Sequence, residues 1–185
     1  MNPQGSDKGR FLLPIARAAI ASRFGLWFSV DERGDFLLEP GASFVTLTLE
    51  GKLRGCIGSL QASRPLLVDV KANAQAAAFQ DPRFRPLAAE ELNRTRIEVS
   101  LLSALAPVEF GCEDEAIAAL RPHQDGVVLA WRDKKATFLP QVWETIPQPG
   151  EFLTELKRKA GLAPDFWADE MKLYRYSVDK WSEPN

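Results

Sequence analysis

Residues 44–49, Phe-Val-Thr-Leu-Thr-Leu, alternate apolar and polar side chains and are rich in β-branching, the pattern of a strand with one buried face. Glu50-Gly51-Lys52 has the composition of a tight turn, and residues 53–60 then return as a second strand. So short a link allows only antiparallel pairing. This hairpin is the clearest element of the chain and fixes the kind of sheet that can be built around it.

The returning strand carries Leu53-Arg54-Gly55-Cys56-Ile57-Gly58. A two-residue period puts Leu53, Gly55 and Ile57 on one face and Arg54, Cys56 and Gly58 on the other. The Arg54 guanidinium would then stand beside the thiol and raise its thiolate fraction. Glycines inside a strand are costly unless a bulge or the close approach of another group needs them, and a small polar ligand lying on bare backbone is one such group. A bulge at Gly55 would break the two-residue parity. The bland alternative is that Cys56 is a small buried hydrophobe.

Elsewhere the spacing predicts a helix over residues 7–25, capped by Ser6 or Asp7 and ended by Gly25, with Pro14 delaying or kinking it. A connector over 26–42 precedes the hairpin. A helix over 65–79 is stopped by Asp81-Pro82, and a short helix over 88–93 leads to a strand over 95–103. On that strand Ile97, Val99 and Leu101 face one way, and Arg96, Glu98 and Ser100 the other. A helix over 113–120, strands over 126–131 and 136–139, a turn at 133–135, a helical turn from Pro140 to Trp143, a helix over 150–160 and a strand over 172–178 complete the chain. The fold class is α+β, a mainly antiparallel sheet flanked by helices, in two lobes. An edge beside the strand bearing Trp131 leaves room for a homodimer.

The charge balance, 23 basic against 25 acidic residues, argues against a nucleic-acid partner held by phosphate neutralisation. Residues 1–10 lack the apolar core of a signal peptide, and no apolar run approaches the roughly 20 residues of a membrane span. Two cysteines without a secretion signal read as free thiols, so we expect a cytoplasmic protein. One histidine and two distant cysteines cannot make a His/Cys zinc site, and no phosphate-loop, dinucleotide or iron–sulfur motif is present. No cofactor is called for, and no metal is assigned, although a carboxylate-only magnesium site stays open.

Leu53-Arg54-Gly55-Cys56-Ile57-Gly58, Asp81-Pro82-Arg83-Phe84, Ile97-Glu98-Val99-Ser100, Asp125-Gly126, Phe138-Leu139-Pro140-Gln141-Val142 and Lys159-Ala160-Gly161-Leu162 occur in this order. With them the chain resembles the AMMECR protein family, most closely its bacterial branch, AmmeMemoRadiSam system protein A. The resemblance covers nearly the whole chain. It implies one domain over 1–185 made of two α+β subdomains, with a cleft between the lobes near the signature strand. It implies no established activity, and it suggests an association with a Memo-like protein and a radical S-adenosylmethionine protein.

The expected function is therefore an enzyme, or an accessory to one, acting on a small polar or anionic metabolite. Cys56 is its nucleophile or gripping thiol, and Glu98 its acid/base or the partner of Arg54. Arg54, Gly55, Gly58, Asp81, Arg83, Ser100 and Gln141 are the expected binding residues. Each has a bland alternative: Asp81-Pro82 is a common turn, Glu98 and Ser100 form a solvated strand face, and Pro140-Gln141 begins a helix. Cys112 reads as structural, and His123 as an exposed loop residue. A non-catalytic adaptor for a protein or peptide is the competing function, and an RNA-related role a weaker one.

Overall fold

The structure, a computed structural model, describes the backbone of residues 5–184 and the side chains of residues 8–184. The expected cap at Ser6 or Asp7 lies outside the described side chains. Helix α1 runs from Gly5 to Ala21 and passes through Pro14. A 3-10 turn at Ser22–Phe24 and the left-handed Gly25 (φ +74°) end it where the sequence predicts.

Strands β1 (Ala42–Leu49) and β2 (Lys52–Gly58) form the expected hairpin, closed by two residues, Glu50 (φ +53°) and Gly51 (φ +77°). Two positive φ values in succession give the turn whose twist matches paired strands. Helix α2 (Leu66–Phe79) follows, then a 3-10 segment at Ala89–Arg94 and strand β3 (Thr95–Leu102).

The chain forms two compact units, one comprising the residues up to Leu102 and from Asp179 onward, the other Ser103–Val178. The first sheet has the order β2-β1-β3-β8, where β8 is Val178–Ser182. Val45, Leu47, Ile57, Ile97 and Val99 line its face toward α1 and α2 and pack with Leu12, Ile15, Ile20, Val70 and Ala74. Asp69 of α2, almost fully buried, fastens this layer. Its carboxylate accepts from the Ser43 amide (2.8 Å) and hydroxyl (2.7 Å), the Ser59 hydroxyl (2.6 Å), Arg64 Nε (2.9 Å) and Asn73 Nδ2 (2.9 Å). A buried carboxylate is tolerated only when its lone pairs are filled in this way.

The second unit comprises strand β4 (Ala106–Val108), helix α3 (Glu113–Ala119), strands β5 (Gly126–Trp131) and β6 (Lys134–Phe138), helix α4 (Pro149–Lys159) and strand β7 (Lys172–Tyr176). Its antiparallel sheet has the order β4-β7-β5-β6. Trp143 stacks on Phe152 at 3.7 Å in its core, and the indole donates to the Asp125 carbonyl (2.7 Å). On the β6 edge, read above as room for self-association, the Thr137 carbonyl accepts from Lys159 Nζ (2.9 Å). Lys134 and Lys135 add charge to the same strand, which discourages strand addition.

The final strand expected over 172–178 is β7, and a further strand, β8, follows it. Tyr176 ends β7 in the second sheet, and β8 crosses to the first sheet beside β3. Ser103 and Ser177 mark the crossing, each amide bonding the other residue (2.9 Å both ways). Past β8, Glu183 locks the strand: its carboxylate takes Arg17 Nε and Nη2 (2.5 Å each) and the Ile97 amide (2.9 Å). Replacing Glu183 by Ala should lower the unfolding free energy by about 2 kcal/mol, read by urea titration; an unchanged midpoint would show that β8 is held by other contacts.

Candidate functional site

The signature strand is shaped by the last turn of α2. A Cβ placed on Gly55 would lie 2.1 Å from the Ala77 carbonyl oxygen, so only glycine permits this packing. The ladder shifts at the same place: Leu47 opposes Gly55 while Thr48 opposes Leu53, leaving Arg54 as the extra residue of a β-bulge. The bulge undoes the expected alternation. Arg54 turns inward with Gly55 and is only 8% exposed. Leu53 opposes Thr48 and Cys56 opposes Thr46, so these two lie on the outer face with Phe44 and Gly58.

Arg54 is therefore not the cation beside the thiol. Its Nε and Nη2 bind Glu91 in a fork (3.1 and 3.0 Å), and Nη1 and Nη2 also donate to the carbonyls of Arg85 (2.9 Å) and Pro86 (3.3 Å). The Arg54 bonds, seconded by the Ala88 amide, lower the Glu91 carboxyl to about 2. Glu98, the partner expected for Arg54, instead meets Lys180 Nζ (3.5 Å) and the Ser182 hydroxyl (3.0 Å) of β8.

The cation near Cys56 is Arg83. Directly after α2, the Asp81 carboxylate accepts the Cys56 amide (2.9 Å) and is forked by Arg83 Nε (2.9 Å) and Nη2 (2.7 Å), with the Arg83 amide at 3.1 Å. Arg83 Nη2 also donates to the Cys56 carbonyl (3.3 Å). The pair thus fills both outward backbone groups of Cys56 on an edge strand, as a neighbouring strand would. The Arg83 bond holds the Asp81 carboxyl well below the usual carboxylate range. Arg83 is raised in turn, mostly by Asp81 and more weakly by charge at Cys56.

On the outer face, cross-strand pairs line up Cys56, Thr46 and Glu98 in one row over β2, β1 and β3. The Thr46 hydroxyl donates to Cys56 Sγ at 3.3 Å. Two strand spacings separate Cys56 from Glu98, about 10 Å between backbones. The next row is Gly58, Phe44 and Ser100, with Ser100 buried. A Cβ on Gly58 would lie 2.2 Å from the Phe44 ring, so this glycine admits a side chain of the protein itself, as Gly55 admits a helix.

Gln141 is exposed on a 3-10 turn (Pro140–Glu144) of the second unit, as are His123 (φ +63°) and Cys112 in their own segments. The row on the first sheet includes none of them. Among the described residues no group of three or more His, Cys, Asp or Glu is disposed to hold a metal. Thr46, Glu91, Lys180 and Ser182 escaped sequence reading. Thr46 could have been found from its alternation once the register was known; the others depend on long-range contacts that no local pattern encodes.

The AMMECR1 family model matches residues 13–181, which takes in every motif of this site. The chain belongs to the AMMECR1 family. A protein of Methanothermobacter thermautotrophicus is 34% identical over 98% of this chain and 97% of its own. One from Thermotoga maritima is 36% identical over 86% of this chain and 88% of its own. The crystal structure of an uncharacterized protein from Pyrococcus horikoshii superposes with a TM-score of 0.78 at 32% identity, covering 95% of this chain and 91% of that one.

A carboxyl depressed in the folded state stabilises above its ordinary pKa and loses that contribution as pH falls through the folded value. Glu91 should thus make stability decline as pH drops from 4.5 toward about 2. Glu91→Gln, which leaves Arg54 buried without its counter-charge, should cost about 3 kcal/mol at neutral pH and flatten that decline. Denaturant titrations across this range check both.

Proposed function

We propose that this AMMECR1-family chain is an intracellular enzyme, or an accessory to one, acting on a small polar or anionic metabolite through the Cys56 thiol. The observation that carries the reading is the Thr46 hydroxyl aimed at Cys56 Sγ. The hydroxyl fixes where the sulfur points on the outer face of the sheet. Arg83 at the strand edge adds positive charge, and Glu98, held by Lys180 and Ser182, supplies a carboxylate farther along the same face. The thiolate is the nucleophile or grip, and Glu98 the acid/base at the far end of the ligand. Association with Memo-like and radical S-adenosylmethionine proteins, proposed from the family resemblance, makes their pathway the place to seek the substrate.

An adaptor role is the second reading, favoured by the exposed run Leu26-Trp27-Phe28, in which Trp27 is 83% exposed. Exposed aromatic residues of this kind commonly anchor protein interfaces. Among the described residues no helix is long and apolar enough to cross a membrane, so a spanning helix does not account for this run.

Iodoacetamide labelling followed by peptide mapping separates the readings. For the enzyme, Cys56 labels faster than the exposed Cys112 at neutral pH, and Thr46→Val slows it by about threefold. A Cys56 that labels no faster than Cys112 would sink the nucleophile. For the adaptor, Trp27→Asp abolishes capture of a Memo-like partner while Cys56→Ala leaves it intact.

A further inference from the structure

Arg83 has a donor to spare. Nε and Nη2 are committed to Asp81 and the Cys56 carbonyl, whereas Nη1 has no acceptor among the described residues, and the side chain is 54% exposed. Its counter-ion does not face outward: the Asp81 side chain is only 2% exposed. Around this edge Arg54, Arg83 and Arg85 stand against Asp81 and Glu91, three positive charges to two negative, an excess of one.

The neighbouring surface limits what can enter. Phe44 covers Gly58 on one side of Cys56, and the exposed Leu53 follows the bulge on the other. The two N–H groups on this one nitrogen suit a carboxylate. A phosphate dianion ordinarily collects several donors or a helix N-terminus.

We infer that the Cys56 niche is a carboxylate site, in which Arg83 Nη1 anchors the acid group of a small ligand whose adjacent carbon lies over the sulfur. The inference rests on the reading of Cys56 as a reacting thiol and adds the charge and position of the ligand's acid group.

Iodoacetate and iodoacetamide differ in charge but undergo the same step. The Cys56 thiolate attacks the methylene carbon, an S–C bond forms, and iodide leaves with the C–I electron pair. Cys112, beside Glu113, Asp114 and Glu115, is an internal reference within the full chain. The iodoacetate-to-iodoacetamide rate ratio at Cys56 should exceed that at Cys112 by about tenfold, with the iodoacetate rate saturating. Arg83→Gln should bring the ratio down to that of Cys112, and Arg83→Lys should restore part of it.

Because Arg83 also holds Asp81, protection of the wild type provides a test free of substitutions. Acetate should slow iodoacetamide labelling of Cys56 and leave Cys112 untouched. Equal ratios at the two cysteines, with Cys56 still labelling quickly, overturn the carboxylate site and leave the thiol reading standing. Protection by inorganic phosphate but not acetate overturns the choice of carboxylate. No labelling of Cys56 by either reagent overturns both readings.

Discussion

The meeting of the α2 C-terminal turn with Gly55 is the constraint on which the site depends. Removing one side chain from β2 lets the Ala77 carbonyl approach the strand. The strand accommodates the helix by bulging, and the bulge sends Arg54 inward, where it can exist only with Glu91 and two carbonyls around it. The same helix end places Asp81 within reach of the Cys56 amide. One glycine thus determines which arginine is structural and which stands beside the thiol.

That division explains why two similar residues have unlike prospects. Arg54 is enclosed, with its donors directed to Glu91 and the Arg85 and Pro86 carbonyls. Arg83 is anchored by a buried carboxylate yet faces solvent, an arrangement that holds a guanidinium in place without hiding it. Thr46, Cys56 and Glu98 lie in one row because the β1–β2 and β1–β3 registers align them, not because they are near in sequence.

Much of the fold was legible in short patterns. The hairpin, α2 with its Asp81-Pro82 stop, β3, β5 and α4 all announce themselves through local periodicity and turn chemistry. The division of residues 172–182 between two sheets did not, since Tyr176 and Val178 belong to equally strand-like stretches and only their distant partners separate them. At the site, Cys56 and the glycines were conspicuous, and a bulge was foreseeable from Gly55. Which way Arg54 would turn was not, because the answer lies in Glu91, 37 positions away, and in the carbonyls of the Arg85-Pro86 turn. Parity works along a regular strand and fails where the backbone gains a residue.

The return of the chain through β8 has a consequence for how the protein comes into being. The first sheet lacks its fourth strand, and Arg17 its carboxylate partner, until residues 178–183 are available. During synthesis the ribosome must therefore complete the whole of Ser103–Val178 before the unit that began emerging first can close. The strand bearing Cys56 lies at the opposite edge from β8, and its own partners, β1, α2 and the Asp81–Arg83 pair, leave the exit tunnel close to it. The thiol edge can thus be assembled from one continuous stretch of nascent chain, while the far edge of the same sheet waits for the last residues.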